Sequence, residues 1–342
     1  MSHPITSDAV VAYTQCLRKA YFLIQGKSKE SQHEYEQILA ERAAANRSLY
    51  VVQLSSNELE STPERTSNDC GIAGVVRSAD LVAKCDALVK RSTDNDKTHS
   101  RYEPHLAVGT RRVSSEQKLT LAFAGFTVGE TRRYVPDSGV VVPFGGGPKR
   151  IKLSPLYSRI RSIVTSLRTI ANDPAVETPP LILNRNCGTC PFHDHCLLEA
   201  EKTDNLTLLQ RMNSKLLRRY ARKGVFTVNQ LSYLFRPRRP RKRSLVVQPS
   251  FNIELQALAI RTNKIYLHEP PSIKDHPVEF YLDIEGIPDQ EFQYLIGLHT
   301  KSCDSVIKQS FWADTADDER RIFQECIEAM NRYPEAPIFH YV

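Results

Sequence analysis

Asp283-Ile-Glu285 is the triplet in this chain that points most directly to chemistry. Alternate side chains on a β-strand share a face, so these two carboxylates would stand together while Ile284 points the other way. Clustered carboxylates hold Mg2+ or Mn2+, and such an ion polarises a phosphoryl oxygen or activates water. A second set of acids lies upstream, with Asp86 in Cys85-Asp-Ala-Leu-Val-Lys-Arg91 and Glu103 in Tyr102-Glu-Pro-His-Leu-Ala-Val108. Asp283 and Glu285 are therefore candidate metal ligands and catalytic acids. Glu34 and Glu36 offer a further ligand from a helix.

Thiolate chemistry is the second signal. Cys187-x2-Cys190-x5-Cys196 packs three cysteines densely, and Gly188 and Pro191 allow the tight turns that ligation needs. A closed set of four thiolates holds an iron–sulfur cluster, and Cys16, in Gln15-Cys-Leu-Arg-Lys19, is the candidate fourth ligand. A zinc site that uses His193 or His195 is the alternative. Cys70, Cys85, Cys303 and Cys326 are isolated and read as ordinary buried cysteines.

The third signal is charge. The net charge is +7 over 342 residues, a modest excess, but no acidic residue occurs between Asp204 and Glu254. That stretch carries Arg218, Arg219, Lys223, Arg236, Arg238, Arg239, Arg241, Lys242 and Arg243 among its cations. Such a field attracts phosphate backbones, so DNA or RNA is the expected partner; the plainer alternative is a solvated linker.

Positioning these groups requires particular elements. The spacing of Val11, Tyr13, Leu17, Ala20, Tyr21 and Ile24 predicts one helix from Asp8 to Gly26, and a second is expected from Ser31 to Asn46. Leu49–Leu54, Asp86–Val89 and Tyr102–Val108 read as strands, followed by a helix Gln117–Phe126 capped by Ser114 or Ser115 and a strand Gly139–Pro143. A helical pair, Leu206–Arg222 and Val228–Phe235, leads to a Pro- and Arg-rich arm at Arg236–Arg243 that cannot be a regular element. Strands at Val278–Ile284, Phe292–His299 and Val306–Trp312, a helix Asp317–Tyr333 and a strand Ile338–Val342 complete the reading. The expected class is α/β, with domains at 1–200 and 245–342 joined by a basic helical connector at 201–244.

Composition narrows the function classes. The chain is 41% hydrophobic and 25% charged, the balance of a globular protein. No run approaches the roughly 20 apolar residues that span a bilayer, and Met1–Tyr13 lacks the form of a secretory signal. A cytoplasmic protein with no membrane partner is expected.

The combination of Cys16 with Cys187-x2-Cys190-x5-Cys196 resembles the iron–sulfur arrangement of RecB/AddB-type nucleases. Lys223-Gly-Val-Phe-Thr-Val-Asn-Gln-Leu231, Phe235-Arg-Pro-Arg-Arg239 and Tyr281-Leu-Asp-Ile-Glu-Gly286 resemble a RecB-like nuclease family that carries a YprB-type, RNase H-like exonuclease domain. The resemblance implies a restriction-endonuclease-type α/β domain of the PD-(D/E)XK kind, a 4Fe–4S cluster tying the first helix to the end of that domain, and the beginning of a DEDD-type domain. It implies Asp86 as the strand-opening acid, a candidate metal ligand and catalytic acid, Glu103 as a candidate catalytic acid, and Gln117 as the helix glutamine. The acid-x-Lys pattern departs at Glu103-Pro-His105, where histidine replaces lysine, and Glu116-Gln-Lys118 supplies the letters only at the start of a helix. In the second domain the acids expected beyond the strand at Phe339–Val342 lie outside this sequence. The expected function is thus a metal-dependent 3′→5′ exonuclease-like protein of weak or no activity as this chain, against a non-catalytic iron–sulfur nucleic-acid-binding module. An iron–sulfur scaffold or redox partner is a third class; a helicase or other protein partner is not specified by the sequence.

Overall fold

The computed structural model describes residues 4–29, 33–60, 70–71, 75–91, 101–132, 134–173, 175–236, 251–267, 275–287 and 290–340. The chain is mixed α/β and divides into two compact units, Met1–Tyr266 and Leu267–Val342.

In the first unit, β1 (Ile5–Thr6) leads into α1 (Ser7–Gln15) and α2 (Leu17–Ile24). Thr6 caps α1 through its side chain, which accepts from the Ala9 N–H, so one orphan donor of the first turn is satisfied. The single helix expected over Asp8–Gly26 is broken at Cys16, which adopts extended backbone (φ −160°, ψ 115°) and ends one helix while capping the next. Then come α3 (Glu34–Glu60), β2 (Cys70–Gly71), β3 (Val75–Ser78), β4 (Leu81–Lys84), β5 (Ala87–Arg91) and β6 (Arg101–Ala107). The strand expected at Leu49–Leu54 is instead part of α3. Tyr50 and Leu54, one helical turn apart, pack onto Ala107, Val140 and Val142, while Leu49 and Val52 face solvent. That burial at helical spacing outweighs the β propensity of the segment.

Beyond β6 lie α4 (Ser115–Arg132), β7 (Ser138–Val142), β8 (Lys149–Lys152) and α5 (Tyr157–Asn172). The main sheet has the order β2-β5-β6-β7-β8, with β6 and β7 parallel and the other pairs antiparallel. A small sheet, β1-β4-β3, stands apart from it. The centre of α4, from Leu119 to Val128, is almost wholly buried, the character of a core helix apolar all round. Its Leu121 and Phe123 join Leu88, Leu106, Val141, Ile160 and Leu167 in the main core. The opposite face of the sheet is covered by α3, where Asn46 donates from Nδ2 to the Val108 and Val142 carbonyls at 3.0 and 2.8 Å. Gly109 lets α3 approach: a Cβ there would lie 2.0 Å from the Leu39 carbonyl oxygen.

The unit ends with α6 (His193–Lys202), α7 (Ser214–Ala221), α8 (Val228–Ser232) and α9 (Ile253–Thr262). The expected pair, Leu206–Arg222 and Val228–Phe235, is shorter than predicted, because a 3-10 turn at Leu206–Leu208 and the Asn213 cap delay α7. Leu206, Leu209, Tyr220, Val228, Leu231 and Ala257 form a separate small core. The Tyr220 hydroxyl donates to Glu254 at 2.8 Å. Residues 251–266 therefore belong with the connector helices rather than opening the next domain at 245, because α9 buries Ala257 among them.

The second unit contains β9 (Val278–Ile287), β10 (Phe292–Ser302), β11 (Val306–Trp312), α10 (Glu319–Met330) and β12 (Ile338–His340). Its sheet order is β11-β10-β9-β12; β12 runs parallel to β9, and the other pairs are antiparallel. Helix α10 buries Ile322, Cys326 and Ala329 against Val278, Phe280, Ile296 and Leu298. Among the described residues, no helix is long and apolar enough to cross a membrane.

Candidate functional site

Four groups of residues singled out above have distinct surroundings. The first is on the main sheet. Asp86 sits just before β5 and is 3% exposed. Its Oδ2 accepts from the Ala107 N–H at 2.7 Å, and its Oδ1 lies 3.3 Å from Arg47 Nε on α3. Burial pushes the Asp86 carboxyl above its usual range, opposed by the Ala107 N–H and by the positive charges of Lys84 and Arg47. Glu103, on β6, is equally buried. It accepts from the Ser138 hydroxyl at 2.6 Å and pairs with Arg150 Nε at 3.2 Å.

Alternation along β6 places Glu103, His105 and Ala107 on the face that α3 covers. His105, at the position where the resembled pattern has lysine, meets the Tyr50 hydroxyl at 2.7 Å through Nδ1. Its Nε2 is 3.8 Å from Glu103 Oε2. Asp86, Glu103 and His105 thus share a sheet face, but each of the two acids faces an arginine. The other expected contributors lie elsewhere. Glu34 and Glu36 are exposed in the first turn of α3. Gln117 is used in a cap: its Oε1 accepts from the Ser114 N–H, its Nε2 donates to Thr110, and Ser114 Oγ accepts from the Gln117 N–H.

The second group is the cysteines. Cys16, Cys187, Cys190 and Cys196 line one pocket together with Arg18, Lys19, Phe22 and His193. The helix break aims Cys16 here, and its sulfur accepts from the Lys19 N–H at 3.5 Å. The Cys187 sulfur accepts from the Asn184 N–H at 3.2 Å. The side chains of Asn184 and Asn186 both donate to the Gln15 carbonyl, and Arg18 pairs with Glu199. Burial pushes the Cys196 thiol up to about 11, opposed by Arg18 and reinforced by the other three sulfurs. Burial also raises Cys187. Among the described residues, no group of three or more His, Cys, Asp or Glu side chains is gathered closely enough to hold a single metal ion. His195 turns instead toward Glu199 and Phe22.

The third group is basic. On α7, Lys215, Arg218 and Arg222 line a groove with Ala221. Arg218 Nε donates to the Ser214 carbonyl and Arg222 Nε to the Arg218 carbonyl, which orients both guanidinium groups along the helix. Arg219 and Lys223 are exposed beside them, as are Arg236 and the aromatic rings of Phe226 and Tyr233. Arg238, Arg239, Arg241, Lys242 and Arg243 lie outside the described residues.

The fourth group is in the second unit. Asp283 and Glu285 are exposed on β9, opposite Gly297 and Leu295 of β10. Both project from the face away from α10, because Phe280 and Leu282 take the other. Tyr281 and Phe339 flank Asp283 on that open face, their ring centroids 5.4 Å apart. Asp318 is a cap residue, accepting from the Thr315 N–H and hydroxyl, and Glu319 accepts from the Gln293 N–H.

Sequence reasoning does not reach Arg47, Tyr50, Ser138 and Arg150 as site residues. Arg47 and Tyr50 share a helical face, a signal visible only once α3 is carried beyond Asn46. Lys215 and Arg222 belong with the basic set on the same grounds as Arg218. No protein-family model matches the chain, and no curated protein sequence matches it.

Proposed function

We propose that this chain is a cytoplasmic nucleic-acid-binding protein of RecB-like nuclease type, with its first carboxylate site closed to metal-dependent hydrolysis. The observation that carries the second half of this reading is the pairing of Asp86 with Arg47 and of Glu103 with Arg150. Divalent cations are held by carboxylate oxygens, and here a guanidinium at each carboxylate competes for those oxygens. Histidine at position 105 also removes the lysine that would stabilise developing charge. Support for the RecB-like type comes from the strand order, with Asp86 opening β5, Glu103 central on β6 and β7 parallel to β6 after the helix α4.

Nucleic acid is bound, in this reading, by Lys215, Arg218, Arg219, Arg222 and Lys223, extended by the arm from Arg236 to Arg243. The oriented guanidinium groups of α7 suit the forked recognition of phosphate. The cysteine pocket fits a 4Fe–4S cluster held by Cys16, Cys187, Cys190 and Cys196. Four thiols line one space, and backbone N–H groups face two of the sulfurs. When bound, the cluster supplies a covalent tie between the α1–α2 junction and the segment that carries Cys187–Cys196.

A second reading, weak exonuclease-like hydrolysis in the second unit, is favoured by Asp283 and Glu285 standing exposed on one strand face. Those two residues would hold Mg2+ or Mn2+, which polarises a phosphoryl oxygen and lowers the pKa of a bound water. Binding to labelled single- and double-stranded DNA and RNA, measured with and without Mn2+ and beside a cleavage assay, tests both readings. Binding without cleavage is expected; no binding at any salt concentration sinks the first reading, and cleavage abolished in Asp283→Ala establishes the second.

A further inference from the structure

Arg18 is the second residue of α2 and is 7% exposed, an unusual state for a guanidinium. Two of its three nitrogens are accounted for: Nη1 donates to the Pro179 carbonyl and Nη2 pairs with Glu199. Among the described residues, the buried Nε–H finds no acceptor. An unmet donor on a buried charge costs on the order of 1–3 kcal/mol or more, so a partner is expected for it. Arg18 lines the same pocket as Cys16, Cys187, Cys190 and Cys196.

The surroundings make this a fixed cation rather than a flexible one. Phe22, one turn along α2, lies under the guanidinium at 5.4 Å from ring centroid to Cζ. Phe22 in turn packs edge-on against Phe192, which is fully buried just before α6. Glu199 holds the outer side, and His195 stands 3.8 Å from the same carboxylate. The guanidinium is thus stacked on one side and tethered at two nitrogens, leaving Nε–H as the edge still to be satisfied.

We infer that Arg18 is a positioning residue for the group held by Cys16, Cys187, Cys190 and Cys196. Its Nε–H donates to a sulfur of that group and its charge offsets the group's negative charge. This rests on the cluster reading given above. A cluster with four thiolate ligands is an anion whose negative charge grows by one on reduction. A nearby buried cation and an N–H to sulfur therefore favour the reduced form and raise its potential. Glu199, an anion behind Arg18, acts in the opposite sense.

The test uses the full chain, purified anaerobically or reconstituted with iron and sulfide, with iron content and midpoint potential measured on each preparation. Arg18→Met keeps the length and apolar stem but removes charge and donor, and its potential should move to a more negative value. Glu199→Gln keeps the cation and removes the anion, and its potential should move the other way. A merely structural role would not give opposite signs. Full iron content with an unchanged potential in Arg18→Met, or shifts of the same sign in both variants, overturns the inference. If Arg18→Met fails to fold, a Glu199→Gln potential at or below the wild-type value overturns it. Wild-type protein that takes up no iron removes the cluster reading itself, and with it any role for Arg18 there; iron content thus reports on one reading and potential on the other.

Discussion

Arg47 reaches from the middle of α3 to place its Nε 3.3 Å from Asp86 Oδ1, at the mouth of β5. The interaction joins a carboxylate that is almost fully buried to a guanidinium whose side chain is 43% exposed. The burial of Asp86, only partly offset by Arg47, couples its ionisation to folding.

The pH dependence concerns Asp86 itself. Burial raises its folded-state pKa above the unfolded value, so its ionisation opposes folding. The contribution it makes to stability is fully present below the unfolded value of about 3.9 and is lost as pH rises through the folded value. Asp86→Asn keeps an acceptor for the Ala107 N–H and should raise the urea midpoint at pH 7, with the gain vanishing at pH 3.5. Equal gains at both pH values would refute the assignment.

Catalysis is expected to respond differently at the two carboxylate sets. Asp86→Ala should leave any Mg2+- or Mn2+-dependent cleavage by the pure protein unchanged. Loss of robust cleavage in that variant alone would mean that Arg47 and Arg150 yield to metal. Residual hydrolysis, where it is seen, should disappear in Asp283→Ala.

Nucleic-acid affinity should depend steeply on salt. Replacing Lys215, Arg218 and Arg222 together with glutamine should flatten the slope of log affinity against log salt by about 0.7 to 0.9 for each phosphate that is no longer neutralised. The same treatment of the arginines from Arg236 to Arg243 should flatten it further. A slope that stays at the wild-type value after both sets are changed would leave these cations as a solvated surface.

Protein prepared without oxygen should be brown and contain iron. Serine at Cys16, Cys187, Cys190 or Cys196 should each lower the iron content, whereas serine at Cys303, which is exposed in the second unit, should not. Stoichiometric zinc in place of iron would reject the cluster.

Gly109→Ala tests the seating of α3 on the sheet. Its new methyl would meet the Leu39 carbonyl oxygen, a backbone atom with no rotamer to escape into. Overpacking of this kind costs about 1–3 kcal/mol. Denaturant melts that show no destabilisation would place the close approach outside the folding transition.

Much of the sheet skeleton can be read from alternation alone. Asp86–Val89, Tyr102–Val108, Gly139–Pro143 and the three strands before α10 alternate or run apolar between clear turns, and the observed strands fall on them. Leu49–Leu54 misleads because Tyr, Val and Leu suit either period; only the burial of Tyr50 and Leu54 on one side decides it. The break at Cys16 is hidden because residues on both sides of it keep helical spacing. In the candidate site the acids are legible as letters, whereas Arg47 and Arg150 are not. Nothing local marks a surface arginine as the partner of an acid far away in sequence; the fold brings them together.

The seating of residues 184–199 on the α1–α2 junction has a consequence for biosynthesis. Gln15 and Arg18 leave the ribosome early, yet Asn184, Asn186 and Glu199 are translated only after nearly the whole α/β core. At ordinary elongation rates the helix pair waits roughly ten to thirty seconds for its partners. During that interval the Arg18 charge and the Cys16 thiol are uncovered. The α1–α2 pair is thus made well before the segment that encloses it.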